Sequence, residues 1–337
     1  MPIQKTSNTL KAQLSGNIKI ASFIATIMVL FRHSLNYLAF FNSYEGKSIS
    51  NTVENSFTIL TEIAVPYFFI VSGFFFLRNN YYNSSYITMI RNKIKSLFIP
   101  FIIWNIWGAF ILLLYNKESI GSFIEFINSL FMSNWNAPLW YIRDLMLIML
   151  LYPIYGWLFV RKNKLFAILF LFILILYWKP ADMTIISSEG LFFFMLGGLL
   201  YEYQSILNKR VSIFILIPTT FIWFTLSIYH DVCLEYHAIH KLLYFIGLFS
   251  FWGIIKYIPQ KHWLFKLTQY SFLIYVMHIY IMKVLKNTVA IFFFGNDIAA
   301  TITYIVLPFV VATIIIIIGN LWRNFYYNSY KIATGGR

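Results

Sequence analysis

The sequence predicts an all-α protein, a polytopic bundle of about ten membrane-spanning helices with both termini in the cytoplasm. Three observations predict it. The 337 residues are 60% hydrophobic and 21% aromatic but only 11% charged, with a mean hydropathy of +0.70, values outside the range of soluble domains. Apolar runs of about 17 to 25 residues, enough to cross a hydrocarbon core roughly 30 Å thick, recur along the whole chain. Basic residues alternate in density between the intervening segments.

The spans fall at 18–40, 57–77, 94–115, 138–158, 163–178, 189–203, 211–229, 239–257, 268–289 and 299–322. The first, IKIASFIATIMVLFRHSLNYLAF, is too long for a signal-peptide core and has no small-residue cleavage site after it, so it is expected to persist as a helix. The second carries Glu62 about one turn from its start, and the third opens on a basic edge, RNKIKSLFIPFIIW, ahead of Pro100. The fourth holds Arg143 and Asp144 side by side. The fifth and sixth are short, and Gly197 and Gly198 in FFFMLGGLL suit close helix packing. The seventh is apolar throughout, and the eighth follows a loop rich in histidine and acid. The ninth, SFLIYVMHIYIMKVLK, places His278 near its middle and Lys283 further along, and the tenth is apolar to its end. No second domain is expected: 1–337 reads as one membrane-embedded unit, with polar tails at 1–17 and 323–337.

The formal net charge is +14, but its distribution argues against nucleic acid as a partner. With an even span count both termini share one side, and most of the 26 Lys and Arg collect there, including Lys5, Lys11, Arg78, Arg91, Lys93, Lys95, Lys209, Arg210, Lys256, Arg323 and Lys331. The opposite side has Lys47, Lys117, Lys179, Lys241, Lys283 and Lys286. This asymmetry sets the orientation. Cys233 is the only cysteine, so neither an internal disulfide nor a cysteine metal cluster is expected.

Ionisable groups at membrane depth are costly and persist where a partner, a water-filled cavity or a reaction uses them. Arg32 and His33 stand near the outer end of the first span. At 3.6 residues per turn Ser22, Thr26, Val29, His33 and Asn36 or Tyr37 fall near one face, a polar stripe that ends at the histidine. Glu62, Arg143 and Asp144 lie at a similar depth, and His278 lies deeper. These groups line one cavity or lock helices together; the spacing fits both. Arg91, Lys93 and Lys95 flank a span as positive-inside residues do, and they also suit a phosphorylated cytosolic ligand. His230, Asp231, Glu235, His237 and His240 in HDVCLEYHAIH match no metal-ligand spacing and read as a solvated loop, so no metal is expected.

Several segments together resemble the acyltransferase 3 family of integral-membrane O-acyltransferases, which modify sugars of cell-surface and secreted glycans. They are ATIMVLFRHS, VPYFFIVSGFFFL, RNKIKSLFIPFIIW, PLWYIRDLMLIMLLYP, FFFMLGGLL and SFLIYVMHIYI, in the family's order and spread over nearly the whole chain. The resemblance implies an essential histidine at the end of the first helix, matched by His33. It implies an acyl-CoA donor, usually acetyl-CoA, with its phosphates near Arg91, Lys93 and Lys95. It also implies a glycan or lipid-linked sugar as acceptor, and a bacterial inner membrane as the location. Many members carry an arginine eleven residues before the histidine; this chain has Ser22, leaving Lys19 or Arg32 to take over. On this reading His33 is the base, Arg32 or Arg143 stabilises an oxyanion, and Glu62, Asp144 or His278 orients His33. The competing expectation is a secondary transporter or glycan exporter that uses the same charges along a permeation path.

Overall fold

The break that ends the first long helix is made by a carboxylate from the next one. Helix α1 (Pro2–His33) stops at His33 because the following N–H groups are captured from outside. Glu54 Oε1 accepts from the backbone N–H of Asn36 and of Tyr37, both at 2.9 Å, and Tyr37 begins the short α2 (Tyr37–Phe41). The polar stripe along α1 ends with His33, as expected, and Asn36 and Tyr37, expected near the same face, lie beyond the helix end. Along α1 the hydroxyls of Ser22 and Thr26 turn back to the carbonyls of Ile18 and Ser22, each at 2.8 Å, which satisfies them inside the helix.

The structure, a computed structural model, describes residues 2–41, 48–78, 86–114, 122–159, 163–178, 186–229 and 235–336. Among these residues the fold is all-helical. After α2 come α3 (Ile49–Thr61) and α4 (Ala64–Arg78), which form one span interrupted at Glu62. A short α5 (Tyr86–Lys93) runs through a π-turn, Ile94–Phe98, into α6 (Ile99–Leu114). Pro100 lacks the N–H that a regular helix would return to Ser96, and the wider turn sends the Ile99 N–H to Ile94 instead. The C-terminal tail fills the space at Ser96. Gly335 sits there at φ +68°, and a Cβ would lie 2.9 Å from the Ser96 carbonyl carbon, so both the dihedral and the space require glycine.

Next are α7 (Phe123–Met132), α8 (Trp140–Leu150) and α9 (Tyr152–Tyr155). The last two belong to one apolar stretch bent by 51°. Then follow α10 (Lys164–Tyr177), α11 (Ser188–Glu202), α12 (Gln204–Asn208) and α13 (Ile213–Ile228). The chain closes with α14 (His237–Ile255), α15 (His262–Thr268), α16 (Ser271–Phe292), α17 (Asp297–Phe325) and α18 (Tyr327–Ala333).

Every expected span is helical, yet the lengths differ from expectation. Among the described residues six helices are long and apolar enough to cross a membrane, or seven if the bent pair counts as one. The expected fifth, sixth and seventh spans are α10, α11 and α13, of 14, 15 and 16 residues, below the roughly 20 that a perpendicular span needs. The region before the fourth span, expected as a loop, contains α7. A capping box between Ser122 and Glu125 starts it, and Phe123, Ile124 and Ile127 stand exposed along it. The protein is thus a multi-pass membrane protein with short helices packed among long ones.

Helix α1 is the axis of the bundle, packing on α3, α4, α14, α15, α16 and α17. The closest crossing is α4 on α11. A Cβ at Gly73 would lie 2.7 Å from the Phe194 carbonyl carbon, and one at Gly197 would lie 2.7 Å from that of Ile70. Small residues at both contact points let the two backbones touch, as expected for Gly197.

Candidate active site

Where α3 gives way to α4, the chain turns at Glu62 and Ile63, and the Glu62 carboxylate projects into the bundle. Both its oxygens are engaged. Oε1 accepts from Nη1 of Arg32 at 2.6 Å, while Oε2 accepts from Nε2 of His240 and, at 3.4 Å, from the Tyr244 hydroxyl. The Glu62 and His240 side chains are 6% and 4% exposed, against 29% for Arg32. A carboxylate this buried needs such donors, since an unpaired charge there costs several kcal/mol.

One residue further on, His33 is half-buried and faces His278 of α16, the ring centroids 5.1 Å apart and the planes inclined at 48°. His278 is fully buried. Its Nδ1 lies 2.7 Å from the Tyr275 carbonyl oxygen and 3.2 Å from that of Ile274. A carbonyl only accepts, so Nδ1 carries the hydrogen, and in the neutral ring Nε2 is left with its lone pair. Nε2 is buried and has no hydrogen-bond partner among the described residues. Lys286, two turns along α16, donates to the Leu35 carbonyl at 2.6 Å and adds a positive charge within electrostatic reach of His33.

The segment between α7 and α8 holds this part of α16 in place. Asn136 Nδ2 donates to the Val276 carbonyl at 3.1 Å. The hydroxyls of Tyr275 and Tyr280 donate to the carbonyls of Pro138 and Trp135. Three anchors thus bracket His278 along its helix.

Arg143 and Asp144 are engaged elsewhere. Nε and Nη2 of Arg143 donate to Asp144 Oδ1 at 3.0 and 2.9 Å, and Asp144 Oδ2 accepts the Ser187 N–H at 3.1 Å. The guanidinium also meets α7, at 3.7 Å from Met132 Sδ and 5.9 Å from the Phe131 ring centre. The pair joins α8 to α7 and to the start of α11. Among the described residues no hydrogen bond or ion pair links it to His33.

Two cavities reach the first half of α1. One of about 310 Å³ is lined in part by Ser15, Ile18, Phe74, Tyr201 and Gln204. An apolar one of about 230 Å³, lined in part by Ile18, Tyr67, Phe74, Leu200 and Trp252, adjoins it. Ser22, where relatives of the kind expected carry arginine, lies 3.5 Å from the Tyr67 hydroxyl, and that hydroxyl donates to the Ile18 carbonyl at 3.0 Å. Lys19 is exposed. Arg91 and Lys95 are exposed and Lys93 half-buried at the end of α5 and in the π-turn. The Tyr86 hydroxyl of α5 meets the Leu150 carbonyl at the end of α8, opposite the end where Pro138 touches α16. The 11 residues of α8 separate the two levels by about 16 Å.

An imidazole pair with one ring buried and the other half-buried, a guanidinium fixed one residue away and a basic cluster at another level fit the acyl-transfer expectation, and one further finding decides the family. Residues 17–320 match the acyltransferase domain of the acyltransferase 3 family. The chain belongs to that family. No curated protein and no solved structure matches it. As an acyltransferase 3 protein it is a transferase of acyl groups embedded in the membrane.

Sequence reasoning singled out His33, Arg32, Glu62 and His278, and the fold brings them together. It missed His240, Tyr244 and Lys286. His240 was read with the loop before the eighth span but is buried inside α14, 3% exposed. The signal was present: His240 and Tyr244 stand four apart on one helix face. His230, Asp231 and Cys233 lie outside the described residues. Among the described residues no group of three or more His, Cys, Asp or Glu is arranged to hold a metal.

Proposed function

We propose that this protein transfers an acyl group, acetyl in the first instance, from acyl-CoA to a sugar hydroxyl of a cell-surface or secreted glycan or its lipid-linked precursor. The observation that carries the reading is the pairing of His33 with His278 beside the Glu62-bound Arg32, at the C-terminal end of α1 in an acyltransferase-family chain.

His33, as a neutral imidazole, accepts the proton of the acceptor hydroxyl while the oxygen attacks the thioester carbonyl. The C–S bond breaks, CoA leaves as the thiolate and takes that proton back as the free thiol. The Arg32 guanidinium, held by Glu62 and partly exposed, stabilises the oxyanion that forms on the carbonyl. His278 orients His33 by the packing of the two rings. Arg143 and Asp144 hold α8, α7 and α11 together rather than serving the reaction.

The phosphates of CoA sit on Arg91, Lys93 and Lys95, whose charge-assisted hydrogen bonds suit them. Both termini and this cluster face the cytoplasm of a bacterial inner membrane, and the short helices complete the ten crossings. Acyl groups then cross the membrane while the sugar stays outside.

The test is transfer of labelled acetyl from acetyl-CoA by purified protein, wild type against His33→Ala. Loss of transfer in the variant is expected. Full activity in His33→Ala overturns the assignment.

A further inference from the structure

His240 has no part in the mechanism above, although it is buried and bonded to the carboxylate that holds Arg32. Glu62 lies at a helix interruption, so its backbone alone does not determine which oxygen faces α1. Its two oxygens are divided between two helices, Oε1 going to Arg32 of α1 and Oε2 to His240 and Tyr244 of α14. Removing the α14 donors frees the carboxylate to rotate, and the guanidinium with it.

We infer that His240 is a positioning residue, which by holding Glu62 Oε2 turns Oε1 toward Arg32 and fixes the guanidinium beside His33. The inference rests on the acyl-transfer reading for its catalytic consequence. The geometry of the contact stands without it. Tyr244, at 3.4 Å from the same oxygen, is the weaker second donor.

The chemistry supplies a discriminating pair of substitutions. A glutamine amide nitrogen sits close to where an imidazole Nε2 sits and can donate to Glu62; an asparagine amide, matching Nδ1, falls short. Both are polar and similar in bulk. A role in packing alone treats them alike, whereas positioning separates them.

Two measurements on the purified full chain test it. In the transfer assay His240→Asn is expected to lower kcat by about tenfold or more, as small misplacements of a catalytic group do, with KM for donor and acceptor within about twofold. His240→Gln is expected to recover most of that loss, and His240→Asn is expected to add little in an Arg32→Ala background. Independently of turnover, modification of Arg32 by phenylglyoxal, read by peptide mass, should rise several-fold in His240→Asn and stay near wild type in His240→Gln. Arg143, paired elsewhere, should react equally in all three and so report intact folding.

Unchanged Arg32 reactivity in His240→Asn overturns the inference, as do equal effects of Asn and Gln or full additivity with Arg32→Ala. Should His33→Ala retain full transfer, the reaction assignment fails while the Arg32 reactivity still decides the positioning claim. Should His240→Asn not fold, His240→Met, of comparable bulk and with no donor for Glu62, takes its place, and unchanged Arg32 reactivity there counts against the inference equally.

Discussion

Nδ1 of His278 lies 2.7 Å from the carbonyl oxygen of Tyr275, one turn back on the same helix. That contact fixes which ring nitrogen carries hydrogen and leaves Nε2, buried and unpartnered, for whatever enters beside His33. It separates the two jobs of the ring. One nitrogen anchors it, and the other is free to act.

His278→Asn tests that separation. The asparagine amide stands near the place of Nδ1 and keeps a donor for the Tyr275 carbonyl, but it has nothing at Nε2. Thermal unfolding in detergent is expected to stay close to wild type while acetyl transfer drops by about tenfold or more. Equal loss of stability and activity would instead make His278 a packing residue.

Arg143 and Asp144 are expected to behave as architecture. Removing the guanidinium with Arg143→Met leaves a buried carboxylate held, among the described residues, by Ser187 alone, at a cost of about 3–5 kcal/mol. The melting temperature should fall sharply, and transfer per folded molecule should remain. The double variant Arg143→Met, Asp144→Asn, which removes both charges and keeps an acceptor for Ser187, should recover much of the stability. A selective loss of turnover in folded Arg143→Met would return Arg143 to the reaction.

At the α4–α11 crossing, Gly197→Ala places a Cβ against the backbone of Ile70. Backbone cannot rotate aside as a side chain can, so the helices must separate, at a cost of about 1–3 kcal/mol. Thermal unfolding in detergent reads the shift. An unchanged midpoint would show that the crossing is looser than its geometry.

For the donor end, replacing Arg91, Lys93 and Lys95 together by Gln is expected to raise KM for acetyl-CoA by about tenfold or more, the loss of charge-assisted hydrogen bonds to phosphate. kcat should change little, since the cluster is remote from His33. Initial rates at varied acetyl-CoA separate the two constants. An unchanged KM would assign the cluster to orientation in the membrane alone.

Much of the site was legible because burying charge in a membrane is expensive. Arg32, His33, Glu62 and His278 stood out against apolar neighbours, and they form two adjacent contacts at the C-terminal end of α1, Arg32 with Glu62 and His33 with His278. Arg143 and Asp144 stood out for the same reason but pair with each other, because adjacent opposite charges satisfy one another locally and energetic cost does not reveal the partner. His240 escaped because it begins a helix just after a polar loop. Hydropathy averages it into that loop, while its bond to Glu62 spans a separation of 178 residues.

Membrane class, the position of most long apolar helices and the family could be read from the chain alone, since these depend on composition, local periodicity and ordered short segments. How Glu62 divides its oxygens between α1 and α14, which His278 nitrogen bonds the backbone, and that Arg143 pairs with Asp144 came from the packing. Those outcomes depend on distances between helices far apart in the chain, and a carboxylate or an imidazole takes its role from the donors and acceptors that packing brings to it.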